Sequence, residues 1–497
     1  MPFSTATPFM EPDGRKLTLK LSETEFVILS KTKGGLNGES SYQLEKYDKD
    51  LGQKFKTAMV CPSEEDYKEL FFNGTDIILF SVIHDEAQKK AKLIAYSFDP
   101  ASGTKKADKV LQEHTVNDWM EVQGKGAVKT TFENEVCSSV ARHFITSFDY
   151  QYQIQYSPDK NKILTYIFDY SQKSLIAETK IFDKGLNELQ QGAFQIDNGF
   201  INYGIYPNNQ GTLYILNSDR TGRIVVVQYD IKNKNHKLLD IQNANTNRSS
   251  LNLQVFTDNE IYISCINTAD RKLAGVMYAK FDFKQNTVEK LNFHDLSVNL
   301  QQTAQTMRSV NKNLSGQESW LNYEIVYFYV NEYEKIIIVL EKRELSGNGY
   351  TYNNMATNNP KNWGEKMLKV NTEGVILFSF NKDDELLWEN FYEKSQVNDV
   401  VMGITGSSFA FNITEDGRIR MFYPSYESSS GIYNIINYVE WDELTGSKTK
   451  EMKAPNDEGF SMITDFTVWW EDQVIVVGRK GLLGKKSFIN LYKLEVN

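Results

Sequence analysis

The sequence predicts an all-β protein, specifically a β-propeller of four-stranded antiparallel blades, about eight in number with seven as the alternative. Three observations support this fold. An aromatic–Asp or aromatic–Asn pair recurs at the end of apolar strand candidates, the shorter intervals between copies are close to the roughly 40–50 residues of a blade, and a partial unit closes the sequence. We therefore expect a single propeller domain over residues 1–497.

The repeated pair predicts where each third strand ends. Its seven copies are Tyr47-Asp48, Phe98-Asp99, Phe182-Asp183, Tyr229-Asp230, Phe281-Asp282, Phe380-Asn381 and Trp441-Asp442. The aromatic ring suits a half-buried position on a pleated strand. The Asp or Asn side chain accepts hydrogen bonds from the main chain just beyond it and starts a turn. Each pair thus predicts a strand end followed by a tight turn.

The units can be followed in order along the chain. The first three contain strand candidates at Leu17–Leu21, Glu25–Ser30, Ser41–Tyr47 and Lys54–Met59, then at Asp76–Ile83 and Lys92–Phe98, then at Tyr150–Tyr156, Lys162–Phe168, Leu175–Phe182 and Gln190–Ile196. Units four to seven span Gly199–Gln242, Leu251–Phe293, Trp320–Tyr392 and about Asp399–Met452. The second unit opens with Ser63-Glu64-Glu65-Asp66, which resembles a capping box and predicts one helical turn.

One helix is expected between the fifth and sixth units. Leu300, Ala304, Met307, Val310 and Leu314 recur at helical spacing. The helix should run over Asn299–Leu314, and Gly316 is placed to end it.

The last unit lacks a fourth strand. Its strand candidates are Ser461–Trp470, Gln473–Gly478 and Phe488–Leu494. An N-terminal segment should complete this blade and remove an exposed sheet edge. Pro2–Pro12 is the expected donor, with Lys16–Leu21 as the alternative.

A short segment of the sixth unit carries a resemblance to known repeats. Asp383–Phe391, DDELLWENF, resembles the blade ending of quinoprotein-type and other WD-like propeller repeats. The resemblance covers one blade ending and implies a propeller. It carries over no site residues.

Meander topology assigns every loop to one of two faces. The turns between strands 1 and 2 and between strands 3 and 4 share one face, here called the turn face. The loops between strands 2 and 3 and the connections between blades share the other, here called the connection face. The longest segments, residues 113–143, 295–319, 347–364 and 424–432, all fall on the connection face. Loops on a rigid scaffold commonly form binding sites, although these segments could instead simply pack over the opening of the ring.

The residues most suited to recognition lie in Gly347–Gly364, GNGYTYNNMATNNPKNWG. Tyr350, Tyr352, Asn354 and Trp363 combine flat aromatic faces with amide groups, which suits sugars or polar peptide segments. The same composition is also typical of an ordinary polar loop.

No catalytic, cofactor or metal-binding motif is recognisable. The sequence contains no HExxH, GxSxG, P-loop, GxGxxG or spaced Cys/His cluster, so catalytic residues, cofactor and metal are all predicted as none. The five histidines are scattered, although His143 and His294 adjoin predicted insertions. Asp48-Lys49-Asp50 and Asn381-Lys382-Asp383 alternate oxygen ligands but lack the Gly and Glu of a calcium loop.

Charge and composition narrow the function classes. Sixty-five acidic residues against 55 basic ones give a net charge of −10, which argues against general nucleic-acid or anionic-membrane binding. Apolar runs of about five residues are far too short for a membrane span of ~20. The N-terminus shows no signal peptide, so a soluble, cytoplasmic protein is expected unless a signal was removed. Cys265 lies in an apolar strand and is expected to be buried.

Two functional hypotheses follow. The first is a non-catalytic binding or assembly module that presents the connection face to a protein or glycan partner. The alternative is a propeller enzyme of the lyase or hydrolase type with a funnel on the same face. The missing motifs favour the first, while ligand, pathway and oligomeric state stay open.

Overall fold

The structure is a computed structural model that describes residues 3–5, 18–34, 40–61, 65–85, 87–115, 152–169, 175–197, 199–219, 221–242, 246–269, 272–306, 323–346, 368–400, 409–425, 435–455, 461–480 and 488–496. The strands of these residues form eight four-stranded antiparallel sheets. The predicted all-β propeller of four-stranded blades is therefore confirmed.

The first four blades follow chain order, after an initial strand β1 (Phe3–Thr5) that belongs to the last blade. Blade 1 contains β2 (Thr18–Lys20), β3 (Glu25–Gly34), β4 (Ser40–Asp48) and β5 (Gln53–Cys61). Blade 2 contains β6 (Glu65–Phe72), β7 (Ile77–Asp85), β8 (Lys90–Phe98) and β9 (Lys105–Thr115). Blade 3 contains β10 (Gln153–Tyr156), β11 (Lys162–Asp169), β12 (Leu175–Asp183) and β13 (Glu188–Ile196). Blade 4 contains β14 (Phe200–Pro207), β15 (Leu213–Asp219), β16 (Ile224–Asp230) and β17 (Asn235–Ile241).

The other four blades complete the ring. Blade 5 contains β18 (Thr246–Val255), β19 (Glu260–Ala269), β20 (Lys272–Asp282) and β21 (Thr287–Asp295). Blade 6 contains β22 (Tyr323–Val330), β23 (Ile336–Ser346), β24 (Leu368–Phe380) and β25 (Leu386–Val400). Blade 7 contains β26 (Ala410–Ile413), β27 (Arg418–Ser425), β28 (Ile435–Asp442) and β29 (Lys448–Pro455). Blade 8 contains β30 (Ser461–Trp469), β31 (Gln473–Lys480), β32 (Phe488–Glu495) and β1.

Apolar side chains between successive blades form the core. The middle strands of each blade carry runs of buried residues, such as Ile336–Leu340 in β23, because both faces of a blade are covered by its neighbours. The core between blades 1 and 2 continues into blade 8 through Val468, Trp470 and Ile475. The Trp470 ring meets Phe26 edge to face at 5.7 Å between centroids. The ring of blades is thereby closed.

The closing strand is the one that the sequence predicts. Phe3, Ser4 and Thr5 of β1 pair with Leu494, Lys493 and Tyr492 of β32 in antiparallel register. This segment lies within the expected donor Pro2–Pro12, so the prediction that the N-terminus completes the last blade is confirmed.

The seven aromatic–Asp or aromatic–Asn pairs also behave as predicted. In each, the aromatic lies at the end of a third strand, and the next side chain accepts main-chain hydrogen bonds from the following turn. In blade 2, Asp99 Oδ1 accepts bonds from the Ala101 and Ser102 N–H groups at 3.0 and 2.8 Å. The hydrogen bonds from Ser102 hold the pKa of Asp99 below its usual value. In blade 6, Asn381 Oδ1 accepts the equivalent bonds from the Asp383 and Glu385 N–H groups.

The two sets of turns meet on the turn face. In several blades, the residue that follows the Asp of the repeated aromatic–Asp pair donates its N–H to a carbonyl of the same blade's first turn. The observed pairs are Lys49 to Thr24, Lys184 to Asn161, Phe283 to Asn259 and Glu443 to Gly417, and Val496 to Asp472 is equivalent. This contact confirms the topological assignment of the short turns to one face.

Lysine side chains join neighbouring blades on the turn face. The ammonium group of one blade donates to a turn carbonyl of the next, or in the last case to a turn carboxylate. The pairs are Lys46 to Pro100 (3.0 Å), Lys109 to Leu186 (2.7 Å), Lys237 to Phe283 (2.7 Å), Lys290 to Lys382, Lys335 to Glu443 (2.5 Å), Lys450 to Val496 (2.8 Å) and Lys493 to Asp50 (2.6 Å). Between blades 3 and 4, Gly192 instead faces the side chain of Ile231.

The two helical segments predicted from the sequence have different outcomes. The helical turn expected at Ser63-Glu64-Glu65-Asp66 is wrong for the residues that the structure describes, because Glu65 and Asp66 begin β6 and pair with Ile83 and Val82. Sheet pairing outweighs the local capping pattern there. The predicted helix is present as α1 (Val298–Thr306), and residues 307–316 of that prediction lie outside the described residues.

The helix is anchored by its first turn. Leu300 is buried in the core between blades 5 and 6 together with Leu296. The Leu300 N–H donates to the Ser297 hydroxyl at 3.3 Å, which caps the helix start. Among the described residues, no helix is long and apolar enough to cross a membrane.

Candidate functional site

The strand ends that border the predicted insertions lie on the connection face. β23 and β24 stay paired as far as Ser346 opposite Lys369, so the segment between them begins and ends at one place on that face. Tyr350, Tyr352, Asn354 and Trp363 belong to this segment and lie outside the described residues. Their role therefore stays a prediction.

Three predicted insertions begin later than the sequence suggests. β9 continues through Thr115, β21 through Asp295 and β27 through Ser425. The first residues of the segments 113–143, 295–319 and 424–432 are thus strand. At the ends of β9 and β21 the polar sequence obscured the strand, since these outer strands expose one side to solvent and resemble a mixed-charge loop.

A buried ion pair lies where blades 6 and 7 meet. Lys394 Nζ is 2.6 Å from Glu341 Oε1, and both side chains are fully buried. The ammonium also donates to Gln396 Oε1 at 2.8 Å and lies 5.2 Å from the centre of the Phe409 ring. Removing two charges from water costs several kcal/mol per ion before their attraction is counted. Such a pair fixes one arrangement of the strands that carry it.

The same cluster ties β25 to β27. Gln396 Nε2 donates to the Pro424 carbonyl at 2.7 Å. The Tyr423 ring is 5.8 Å from Lys394 Nζ, and its hydroxyl donates to Tyr392 at 3.3 Å. Burial, together with the nearby Glu451 carboxylate, raises the pKa of Tyr392 to about 12. The strand ends that frame the segments 401–408 and 426–434 are therefore held by polar contacts inside the interface.

The histidines near this face are paired with carboxylates in two separate interfaces. His114 Nδ1 is 2.9 Å from Glu178 Oε2 between blades 2 and 3. His294 Nε2 is 3.4 Å from Glu389 Oε2 between blades 5 and 6, and its ring packs edge to face on Phe378 and Phe380. His143 lies outside the described residues.

A polar pocket of about 380 Å³ opens on the opposite side, the turn face, between blades 4 and 5. The first turns of both blades and the second turn of blade 4 form its walls. The lining residues are Asn208, Gln210, Thr212, Gln228, Asp230, Asn235, His236, Lys237, Asp258 and Asn259.

Hydrogen bonds inside the pocket wall fix its shape. Asn208 Oδ1 accepts the N–H groups of Gln210 and Thr212 at 2.9 and 2.8 Å. The Asp258 carbonyl accepts both Asn208 Nδ2 at 2.8 Å and the Tyr214 hydroxyl at 2.6 Å. Burial and the neighbouring carboxylates raise the pKa of Tyr214, while bonds from Gln228 and Asn208 oppose that effect. The hydroxyl therefore stays protonated and can donate.

A carboxylate cluster beside this region is already neutralised. Glu260, Asp282 and Glu289 bring their oxygens close enough together to suit a cation. Lys280, however, places its ammonium 2.7 Å from Glu260 and 3.4 Å from both Glu289 and Glu334. Burial lowers the pKa of Lys280, but the bond to Glu260 and the surrounding carboxylates outweigh it and raise that pKa. The lysine supplies the positive charge that the cluster requires.

Cysteine behaves as predicted where it is described. Cys265 is fully buried in β19, and burial raises the pKa of its thiol. Cys61 is also buried and donates to the Glu65 carbonyl at 3.2 Å.

Sequence reasoning missed the pocket and the buried ion pair. The pocket combines residues of two blades, and the ion pair joins β25 to β23 of the same blade, so both depend on sheet register rather than on local sequence. A comparison of equivalent turns could have drawn attention to the pocket, because the first turns of blades 4 and 5 contain Asn208-Asn209-Gln210 and Asp258-Asn259.

Comparisons with known proteins do not assign a family. No protein-family model matches the chain, and no curated protein matches it. A solved structure from a study of two prolyl endopeptidases is 8% identical, with 96% of this chain and 54% of that chain covered and a TM-score of 0.41. Prolyl oligopeptidase B from Galerina marginata is 11% identical, with 96% and 55% covered and a TM-score of 0.39.

A third similar structure is the β-propeller domain of the Trilobed protease from Pyrococcus furiosus. It is 7% identical, with 87% of this chain and 95% of that chain covered and a TM-score of 0.36. The present chain spans about half the length of the two prolyl peptidase structures. At these identities and scores we transfer neither activity nor site residues.

Proposed function

We propose that this protein is a non-catalytic binding or assembly module that presents the connection face of its ring to a protein or glycan partner. The observation that carries the proposal is the topology. Every long segment that interrupts the described strands, residues 116–151, 307–322 and 347–367 among them, joins strand ends on the connection face. The turns on the opposite face are short and satisfied by their own hydrogen bonds.

The described part of this face suits such a role because it is rigid. The Gln396–Pro424 contact joins blades 6 and 7 beneath two of the interrupting segments, and the buried Lys394–Glu341 pair fixes β25 against β23 within blade 6. Binding loops lose less conformational freedom on association when their ends are held by a fixed scaffold. The scaffold can therefore present these loops without changing its own shape.

We place the main binding contacts in residues 347–364. Tyr350, Tyr352 and Trp363 would serve as aromatic anchors, and Asn354 would add an amide that can both donate and accept hydrogen bonds. Aromatic residues at the centre of an interface often contribute about 2 kcal/mol or more each when they become fully buried. The loss of two anchors should therefore abolish capture.

The experiment compares two double variants in pull-downs from source extract and on a glycan array. Tyr352→Ala with Trp363→Ala should abolish capture and leave the melting temperature unchanged. The matched control is Tyr333→Ala with Leu444→Ala, because these side chains lie on the turn face and are 73% and 72% exposed. The control should capture the partner normally. If the control loses capture while the anchor variant retains it, the functional face is the turn face and the proposal is wrong.

The alternative hypothesis, an enzyme with a funnel on the same face, requires a different arrangement of side chains. It needs acidic and basic side chains that converge on one point. The two histidine–carboxylate pairs near that face, His114–Glu178 and His294–Glu389, belong to different blade interfaces. Among the described residues, this arrangement favours the binding module.

A further inference from the structure

We propose that the pocket between blades 4 and 5 is a second binding site, which takes a small neutral saccharide. It lies on the turn face, away from the proposed partner surface, and does not depend on that surface. Its volume of about 380 Å³ is within the range of small-molecule sites. One or two sugar rings would fit.

Two charged side chains of the pocket are already hydrogen-bonded within the protein. Asp230 is used by its own turn, since Oδ1 accepts the Lys232 and Asn233 N–H groups and Oδ2 accepts Asn233 Nδ2. The ammonium of Lys237 is used by the Phe283 carbonyl. The permanent charges of these two residues are therefore already engaged within the protein.

Asp258 is different. Its Oδ2 accepts Gln210 Nε2 at 3.1 Å, whereas its Oδ1 is buried and has no hydrogen-bond partner among the described residues. A buried carboxylate oxygen without a donor is costly. If the carboxylate rotated to turn this oxygen toward the pocket, a ligand hydroxyl would supply the donor that it lacks.

The neighbouring groups select the class of ligand. Asn235, Asn259 and Gln228 are carboxamides, which donate and accept hydrogen bonds as sugar hydroxyls do. Gln228 uses its Nε2 on the Tyr214 hydroxyl at 3.0 Å. Its carbonyl end therefore remains to accept a hydroxyl.

Charge and polarity disfavour anionic and lipophilic ligands. The two carboxylates of Asp230 and Asp258 against the single ammonium of Lys237 leave the lining net negative, which disfavours a phosphate or a carboxylate. All ten lining residues carry polar or charged side chains, whose donors and acceptors would lose their hydrogen bonds to water beneath a lipophilic molecule. A neutral ligand rich in hydroxyl groups satisfies both conditions.

Hydrogen bonds within the protein also hold the pocket wall in place before any ligand binds. The Tyr214 hydroxyl and Asn208 Nδ2 both hold the Asp258 carbonyl, and the Phe283 N–H holds the Asn259 carbonyl at 2.9 Å. These bonds use main-chain atoms of the turn and leave the Asn259 side chain exposed toward the pocket mouth. Rigid placement of the recognition groups reduces the entropic cost of binding.

The test is saturation-transfer NMR on the full chain, with D-glucose, D-galactose, D-mannose and N-acetyl-D-glucosamine as neutral probes and D-glucose 6-phosphate as the anionic probe. At least one neutral sugar should bind, with a dissociation constant on the order of 1 mM, while the phosphate ester should not. Asp258→Ala and Asn259→Ala should each weaken binding about tenfold. Because Asn259→Ala removes only an exposed side chain, this variant should fold normally and test the site even if Asp258→Ala does not fold.

The matched control is Glu23→Ala. Glu23 precedes Thr24, whose carbonyl accepts the Lys49 N–H just as the Asn259 carbonyl accepts that of Phe283, so Glu23 holds the position of Asp258 in blade 1. Its side chain is 80% exposed. This variant should bind sugar normally. The proposal is overturned if no neutral sugar binds, or if binding survives in the Asp258→Ala, Asn259→Ala double variant with an unchanged melting temperature.

Discussion

Lys335 of blade 6 donates a hydrogen bond of 2.5 Å to the main-chain oxygen of Glu443 in blade 7, and its ammonium lies 3.4 Å from the carboxylate of the same residue. Trp388 Nε1 donates to the same carbonyl at 2.9 Å. The Trp388 ring also packs on Gly446, whose φ of +65° and lack of a side chain permit the approach. One turn of blade 7 is thus held by two side chains of blade 6.

The first prediction concerns this contact. Lys335→Met keeps much of the aliphatic volume but removes the donor, and it leaves the nearly buried Glu443 carboxylate without its cation. We expect the free energy of unfolding to fall by roughly 2 kcal/mol, measured by urea denaturation. Lys382→Met, in an exposed turn of blade 6, should leave the midpoint unchanged. Equal midpoints for wild type and Lys335→Met would show that the bond contributes nothing.

The second prediction concerns acid stability. Hydrogen bonds from the turn, chiefly from Ser102, lower the pKa of Asp99 in the folded state. The ionised carboxylate therefore stabilises the fold above the unfolded Asp pKa of about 3.9, and that contribution is lost as pH falls through the lower folded pKa. Asp99→Asn should make the melting temperature less dependent on pH between about 5 and 2.

The reverse substitution is the control. Asn381 makes the same turn contacts without a charge, so Asn381→Asp should steepen the loss of melting temperature over the same acid range. Parallel pH profiles for wild type and both variants would contradict the assignment.

The third prediction concerns closure of the ring. A chain without residues 1–14 loses β1 and leaves the outer edge of β32 unpaired. We expect a clear fall in melting temperature by calorimetry. A synthetic peptide of residues 1–12, added in trans, should restore part of the loss, and a scrambled peptide should not. An unchanged melting curve in the truncated chain would mean that β1 contributes nothing to stability.

The repeat explains why so much of the fold was predictable. The signal of Tyr229-Asp230 is local, because one aromatic residue and one turn-forming side chain decide the strand end. Its recurrence then identifies the repeated blade, and the missing strand after Phe488–Leu494 identifies the N-terminal donor. Errors arose where local and tertiary preferences differ, as at Glu65, whose capping pattern gives way to pairing with Ile83.

The candidate sites were harder to predict because they depend on contacts between residues that lie far apart in the sequence. Nothing in the sequence near Lys394 indicates that Glu341 will lie 2.6 Å away, since that contact depends on the register of three strands. The pocket likewise needs the turn at Asn208 to face the turn at Asp258. Only the residues at 347–364 carried a compositional signal for binding, and their role is the part of the proposal that experiment must decide.

The pairing of β1 with β32 sets an order of events during synthesis. Phe3–Thr5 is translated before blades 1 to 7, yet its partners Tyr492–Leu494 are translated after them. Blades 1 to 7 can fold in turn as each is completed, as domains commonly do during translation, while the first strand waits. A nascent chain that stalls before residue 461, where blade 8 begins, would therefore carry a ring open between its first and seventh blades, with apolar faces that chaperones recognise.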